Sequence, residues 1–170
     1  MTHALWKLER LRQYIAAILH LPLSVLGLYA ERSTPRDEYA LTVRMPYADF
    51  EAKLHRMGFT RNLVSSLKRR EYAAPPEVAV ASWVRYPDGV IRSTHQLHLG
   101  LYVGPEGAVT DVYAHWEPSW IRYPIRHYRA REVDSTEGVR RIRRLLSENG
   151  VAYHVKPVEE RYDHVSDAAE

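Results

Sequence analysis

VIRSTHQLHLGLYVGPEGAVTDVYAHWE, running from Val90 to Glu117, decides the fold of this chain. Leu97, Leu99, Leu101 and Val103 alternate with Gln96, His98, Gly100 and Tyr102, and the same two-residue period returns in Thr110, Val112, Ala114 and Trp116 against Asp111, Tyr113, His115 and Glu117. Side chains along a strand point to opposite faces in turn, so this is a pair of strands, each with one apolar and one polar face. Gly104-Pro105-Glu106-Gly107 between them is a turn. Tyr86-Pro87-Asp88-Gly89 is a second turn, leading in from VAVASWVRY. Three consecutive strands therefore form an antiparallel meander.

The flanks read as follows. YALTVRMP is a first strand, with Tyr39, Leu41, Val43 and Met45 on one face and Thr42 and Arg44 on the other. YADFEAKLHRMGF is a helix with Phe50, Leu54 and Met57 inward, stopped by Gly58. TRNLVSSLKRR is predicted as a second short helix, with Leu63, Val64 and Leu67 inward and Lys68, Arg69 and Arg70 at its end. A last helix starts from an Asp134 or Ser135 cap, carries Val139, Ile142 and Leu146 inward, and closes at Asn149-Gly150; VAYHVKP is a final strand. This order predicts an α+β fold: a mainly antiparallel sheet built on the meander, with helices packed on it, related to the split βαβ arrangement.

At 170 residues, 45% of them hydrophobic and 26% charged, the chain has material for one core. The expected organisation is an N-terminal amphipathic helix and connector over 1–33, a single α+β domain over 34–157, and an acidic tail over 158–170. In the first segment Leu5, Leu8, Leu11, Ile15, Ile18 and Leu19 form an apolar stripe ending near Pro22. The apolar run Tyr14–Ala30 contains His20, Pro22 and Ser24 and reads first as a core or docking helix, with a membrane-surface helix and a membrane span as the lesser alternatives, and it matches a secretory signal poorly. The functional alternative for that helix is a surface that meets a second copy of the chain.

There is no cysteine, which excludes disulfides, thiolate metal sites and cysteine nucleophiles and agrees with a cytoplasmic location. The formal net charge is +3 and the pI about 9.2, a mild basic balance whose distribution matters more than its size. WEPSWIRYPIRHYRAR interleaves Trp116, Trp120, Tyr123 and Tyr128 with Arg122, Arg126, Arg129 and Arg131, and the last helix adds Arg140, Arg141, Arg143 and Arg144. Arginines pair with phosphates and aromatic planes stack on bases, so this is the composition of a nucleic-acid-binding surface. Pro118 and Pro124 argue for a stiff loop at its start. The ordinary reading of the same residues is packing, with arginine stems lying over aromatic rings.

The polar face of the strand pair offers a second kind of chemistry. A four-residue loop pairs Val103 with Ala108, which sets His98 opposite Tyr113 and diagonal to Asp111 and His115. Two imidazoles and a carboxylate are the elements of a metal site or an acid–base pair, so His98, His115 and Asp111 are the catalytic and metal-ligating candidates. The ordinary reading is that of polar residues on a half-exposed sheet, or of hydrogen-bonded histidines under the N-terminal helix.

From HQLHLGLY through DVYAHWEPSWIRYPIRHYR the sequence resembles uncharacterised small proteins of halophilic archaea and their mobile elements; the resemblance implies no activity, cofactor or catalytic residue. The residues favour a binding protein that contacts nucleic acid, another polyanion or an acidic protein surface, with no cofactor. The alternatives are a His/Asp-based, metal-dependent hydrolase such as a phosphodiesterase, and an assembly protein of a mobile element.

Overall fold

A computed structural model describes residues 33–62, 68–70, 77–104 and 107–155, together with Ile18, Pro22 and Val25. The elements are a 3-10 turn at Arg36–Glu38, β1 (Tyr39–Val43), α1 (Tyr47–Arg56), β2 (Thr60–Arg61), β3 (Arg69–Arg70), β4 (Glu77–Val78), β5 (Ala81–Arg85), β6 (His95–Val103), β7 (Thr110–Pro118), α2 (Pro124–Tyr128), α3 (Ser135–Glu148) and β8 (Tyr153–His154). Six strands form one antiparallel sheet in the order β2-β5-β6-β7-β1-β8, and β3 and β4 form a separate ribbon. Because β7 lies antiparallel between β1 and β6, those two strands run the same way with a third inserted between them. The run β8-β1-β7-β6 is thus a split βαβ core, extended at one edge by β5 and β2.

The apolar face is closed by α1 and α3. Phe50 and Leu54 from α1 and Ile142 and Leu146 from α3 meet Leu97, Leu99, Leu101, Val112, Ala114, Leu41 and Val43 in one core, with Val139 packed at its margin. The start of α3 is fixed from both directions. The Asp134 carboxylate accepts the Glu137 amide at 2.8 Å, the cap bond an isolated helix start needs. Gly138 sits so close to β7 that a Cβ there would lie 2.2 Å from the His115 Cα, so only glycine admits this approach. Gly150, at φ +64, ends the helix.

Several expectations are corrected. Residues 60–70 are not one helix: Thr60 and Arg61 pair with Val84 and Trp83, and Arg69 and Arg70 pair with Val78 and Glu77. The strand read as VAVASWVRY is divided, since Val78 belongs to the ribbon and β5 starts at Ala81. Val90–Arg92 is turn and Thr94 a bend, with strand beginning only at His95, so the connection from β5 to β6 is long. A bulge at Ala40 breaks the alternation of β1: Tyr39 pairs with Tyr113 while Leu41 pairs with the adjacent Val112. Tyr39 therefore joins Tyr102, Tyr113 and Ala79 on the far face and leaves Leu41 and Val43 in the core. Pro118 is the last residue of β7, and Pro124 opens α2 at a position where its missing N–H costs nothing.

Ile18, Pro22 and Val25 are helical and exposed, so helical backbone is found beyond the expected end at Pro22. The rest of the N-terminal stripe, residues 63–67 and the acidic tail lie outside the described residues. Among the described residues, no helix is long and apolar enough to cross a membrane.

Candidate functional sites

The second face of the sheet is polar and buried. Its register differs by two residues from the one a four-residue loop gives: Val103 pairs with Thr110, and His98 lies directly opposite His115. The reason is the turn. Gly104 donates to the Val109 carbonyl at 3.0 Å while its own carbonyl accepts from Gly107, so the connection spans 104–109. A shift of two preserves the faces and changes every partner.

Asp111 accordingly leaves the histidines. It accepts from the Arg70 guanidinium and from Thr42, both at 2.8 Å, and the Arg70 guanidinium carbon stands 4.4 Å from the centre of the Tyr102 ring. Arg70 and Asp111 are both buried, and together with Tyr39, Tyr102 and Tyr113 they close one half of the face. This is a buried ion pair held by Thr42 and the Tyr102 ring.

The other half is built around His98 and His115, 5% and 2% exposed. Nδ1 of His98 is 3.0 Å from Nε2 of His115 and 3.0 Å from Oε1 of Glu117, while His115 Nε2 is 3.3 Å from Glu117 Oε2. The outward atoms are held as well: His98 Nε2 meets Ser82 Oγ at 2.5 Å, and Gln96 Nε2 donates to Glu117 Oε1 at 2.8 Å. His115 Nδ1 lies 3.0 Å from Glu38 Oε2, an ion-pair distance although the groups are out of line for a straight hydrogen bond. Lys68 Nζ is 3.7 Å from the same Glu38 oxygen, and His127 Nδ1 is 3.2 Å from Glu117 Oε2.

These contacts set the charges. Burial pushes His115 down, but Glu38 and Glu117 on its two nitrogens outweigh it and raise it to about 9. For Glu38 burial acts upward and is overcome by His115 and Lys68, leaving it at about 2; Glu117 is likewise held well below the usual carboxylate range by the two histidines. His98 goes the other way: burial prevails over Glu117 and lowers it to about 4. The same carboxylates thus act on two imidazoles that are pushed in opposite directions.

The arginine-rich stretch is divided between internal bonds and open surface. Arg143 donates through two nitrogens to the Ala40 carbonyl, at 2.9 and 2.7 Å, and so ties α3 to the bulge of β1. Arg140 and Arg141 both grip Glu137, and Arg144 bonds Glu148. Arg141 also lies over Trp116, 3.8 Å from the ring centre, and His95 stacks with the same ring, with centroids 5.6 Å apart. Trp120 is half-buried, and its amide donates to Gln96 Oε1. Tyr123 has Arg122 and Arg126 within 5.9 and 5.5 Å of its ring, and the Tyr128 ring meets that of His127. Arg122, Arg126, Arg129 and Arg131 remain exposed.

Between β5, the start of β6 and the outer side of α3 lies a cleft of about 280 Å³, lined by Arg85, Arg140, Arg141 and Arg144 against the single carboxylate of Glu148, with Leu97, Leu145 and Trp116 also in its wall. Arg85 is the residue that composition alone did not single out; it enters because β5 runs beside β6. No family model, curated protein or solved structure matches this chain.

Proposed function

We propose that the protein binds a phosphate-bearing polyanion, nucleic acid foremost, at the arginine cleft and the exposed loop that follows β7. The observation that carries this reading is the cleft itself: four arginines and one carboxylate residue, Glu148, line one concavity. An excess of arginine over carboxylate in a recess attracts phosphate oxygens, and guanidinium forks match their geometry. Arg122, Arg126, Arg129 and Arg131 add exposed cations on the connection between β7 and α3. In that connection Ala130 and Glu132 hold left-handed backbone, at φ +45 and +63, a strain that tends to accumulate where a loop has work to do.

The test is fluorescence anisotropy with labelled single-stranded and duplex DNA and RNA over a salt series. Binding is expected to weaken with salt, by a logarithmic slope of roughly −0.7 per phosphate contact on a single strand. Arg140→Gln with Arg144→Gln, at side chains 57% and 71% exposed, keeps the fold and is expected to reduce that slope by about two. Arg126→Gln with Arg129→Gln examines the loop in the same way. Arg143 is unsuitable as a binding probe because it holds Ala40. Unchanged affinity and slope in both folded double variants would refute the proposal.

A second reading, a hydrolase that uses His98 and His115, is favoured by the contact between the two rings, with Glu117 taking the part first given to Asp111. It requires that His115→Gln abolish a phosphodiesterase activity of the purified chain. The assembly reading rests on the N-terminal helix; Ile18, Pro22 and Val25 are exposed there, and self-association lost on deleting residues 1–33 would support it.

A further inference from the structure

Three groups converge on the buried face: His98 Nδ1 and His115 Nε2 stand 3.0 Å apart, and the Glu117 carboxylate reaches the first with Oε1 at 3.0 Å and the second with Oε2 at 3.3 Å. Each contact has hydrogen-bond length, yet protons cannot satisfy all three at once. Each ring nitrogen carries at most one hydrogen, and Glu117 as a carboxylate only accepts. If His115 Nε2 donates to His98 Nδ1, that nitrogen presents its lone pair to Glu117 Oε1. If both nitrogens donate to Glu117, one to each oxygen, the 3.0 Å contact between the rings carries no hydrogen bond. A single cation at the centre would serve all three as acceptors.

The dimensions agree with that. Ligands bonded to a tetrahedral zinc-type ion at about 2.0–2.1 Å stand about 3.3 Å from one another. The surrounding contacts are those of a metal centre too. His115 turns its other nitrogen to the Glu38 carboxylate, His98 turns its own to Ser82, and Glu117 is oriented by Gln96. Such partners fix ring orientation and make the ligand nitrogen more basic. The ligand atoms of His98, His115 and Glu117 all lie within 4.8 Å of one another, and all three residues are buried.

We infer that His98 Nδ1, His115 Nε2 and the Glu117 carboxylate form a site for one divalent transition-metal ion of the zinc class, clamping β6 to β7 and, through Glu38, to the segment before β1. Two imidazoles with one carboxylate suit zinc, cobalt or nickel and disfavour calcium and magnesium, which seek oxygen. The burial of the three ligands makes the ion a structural clamp. It lies on the sheet face opposite the arginine cleft and does not depend on the polyanion reading.

The experiment uses the full chain, stripped with a chelator and then titrated with cobalt(II) as a spectroscopic substitute for zinc. One equivalent is expected to give the visible absorption of cobalt bound by nitrogen and oxygen ligands, lost on adding zinc, with a raised thermal midpoint in zinc. His98→Gln and Glu117→Gln are expected to lose the band, while His55→Ala, an exposed histidine on α1, retains it. Should the ligand variants unfold, histidine-ring NMR of the wild-type chain decides instead: zinc must move the His98 and His115 ring signals at one equivalent and leave His55 unmoved. A folded, stripped protein that shows no band and no ring shifts would overturn the inference. So would a band that survives in His98→Gln, or ring shifts confined to surface histidines.

Discussion

The two faces of the β6–β7 pair are built from the same two-residue alternation and closed by opposite means. On one, Leu97, Leu99, Leu101, Val112 and Ala114 are covered by hydrocarbon from α1 and α3. On the other, His98, His115, Glu117, Asp111 and Gln96 are equally buried and are held by named polar partners. The apolar face needs volume, which many side chains supply. The polar face needs particular atoms in particular places, because a buried charge that loses its partner is left uncompensated. The difference separates a face set by volume from a face set by specific partners.

The largest expected effect follows from breaking a polar partner. Asp111→Ala leaves Arg70 buried without its carboxylate and is expected to cost about 3–5 kcal/mol, read from urea unfolding. Replacing both, as Arg70→Met with Asp111→Leu, is expected to recover most of that loss; a double variant as unstable as the single one would show that the pair itself stabilises the fold. On the apolar face Leu99→Ala is expected to cost about 2–5 kcal/mol through the cavity it opens. Leu99→Met is expected to cost less than about 1.5 kcal/mol, whereas no isosteric exchange at Asp111 is expected to be so mild.

Smaller effects locate the joints between the layers. Gly138→Ala drives a methyl into the β7 backbone at His115 and is expected to cost about 1–3 kcal/mol, with the His115 ring signals displaced. Asp134→Ala removes the α3 cap and is expected to cost about 0.5–2 kcal/mol. The smallest effect is that of pH on the surface of α3. The Glu137 carboxyl, bonded by Arg140 and Arg141, is held at about 2 in place of 4.5. Its folded value is depressed, so its contribution is present above about 4.5 and lost as pH falls toward 2. A helical signal in that window, sensitive to Glu137→Gln, would check it.

The sequence carried the alternation of β6 and β7, the cap and stop of α3 and the inward stripe of α1, because each depends on residues close in the chain. It did not carry the partners across strands. Counting the turn as four residues moved His98 from His115 to Tyr113, although Gln96 and Glu117 had already been placed on the histidine face. The bulge at Ala40 has no local signature, and it alone turns Tyr39 away from the core. TRNLVSSLKRR reads as a helix by spacing, yet Thr60–Arg61 and Arg69–Arg70 are strands because β5 and β4 offer them ladder bonds. Glu38, Ser82 and Lys68 come to the histidines from three separate segments, beyond the reach of any motif. Among the arginines, sequence adjacency suggested one surface, whereas Arg143 is spent on Ala40 and Arg85 joins from another strand.

The most direct measurement of the buried polar face is histidine-ring NMR on the full chain, recording contacts between ring protons and the exchange of ring N–H with water. With His98 and His115 edge to face at 4.7 Å between centroids, strong cross-ring contacts and slowly exchanging ring protons are expected for these two and not for His55. Rings without mutual contact, exchanging as freely as His55, would contradict the burial and register on which the site is built.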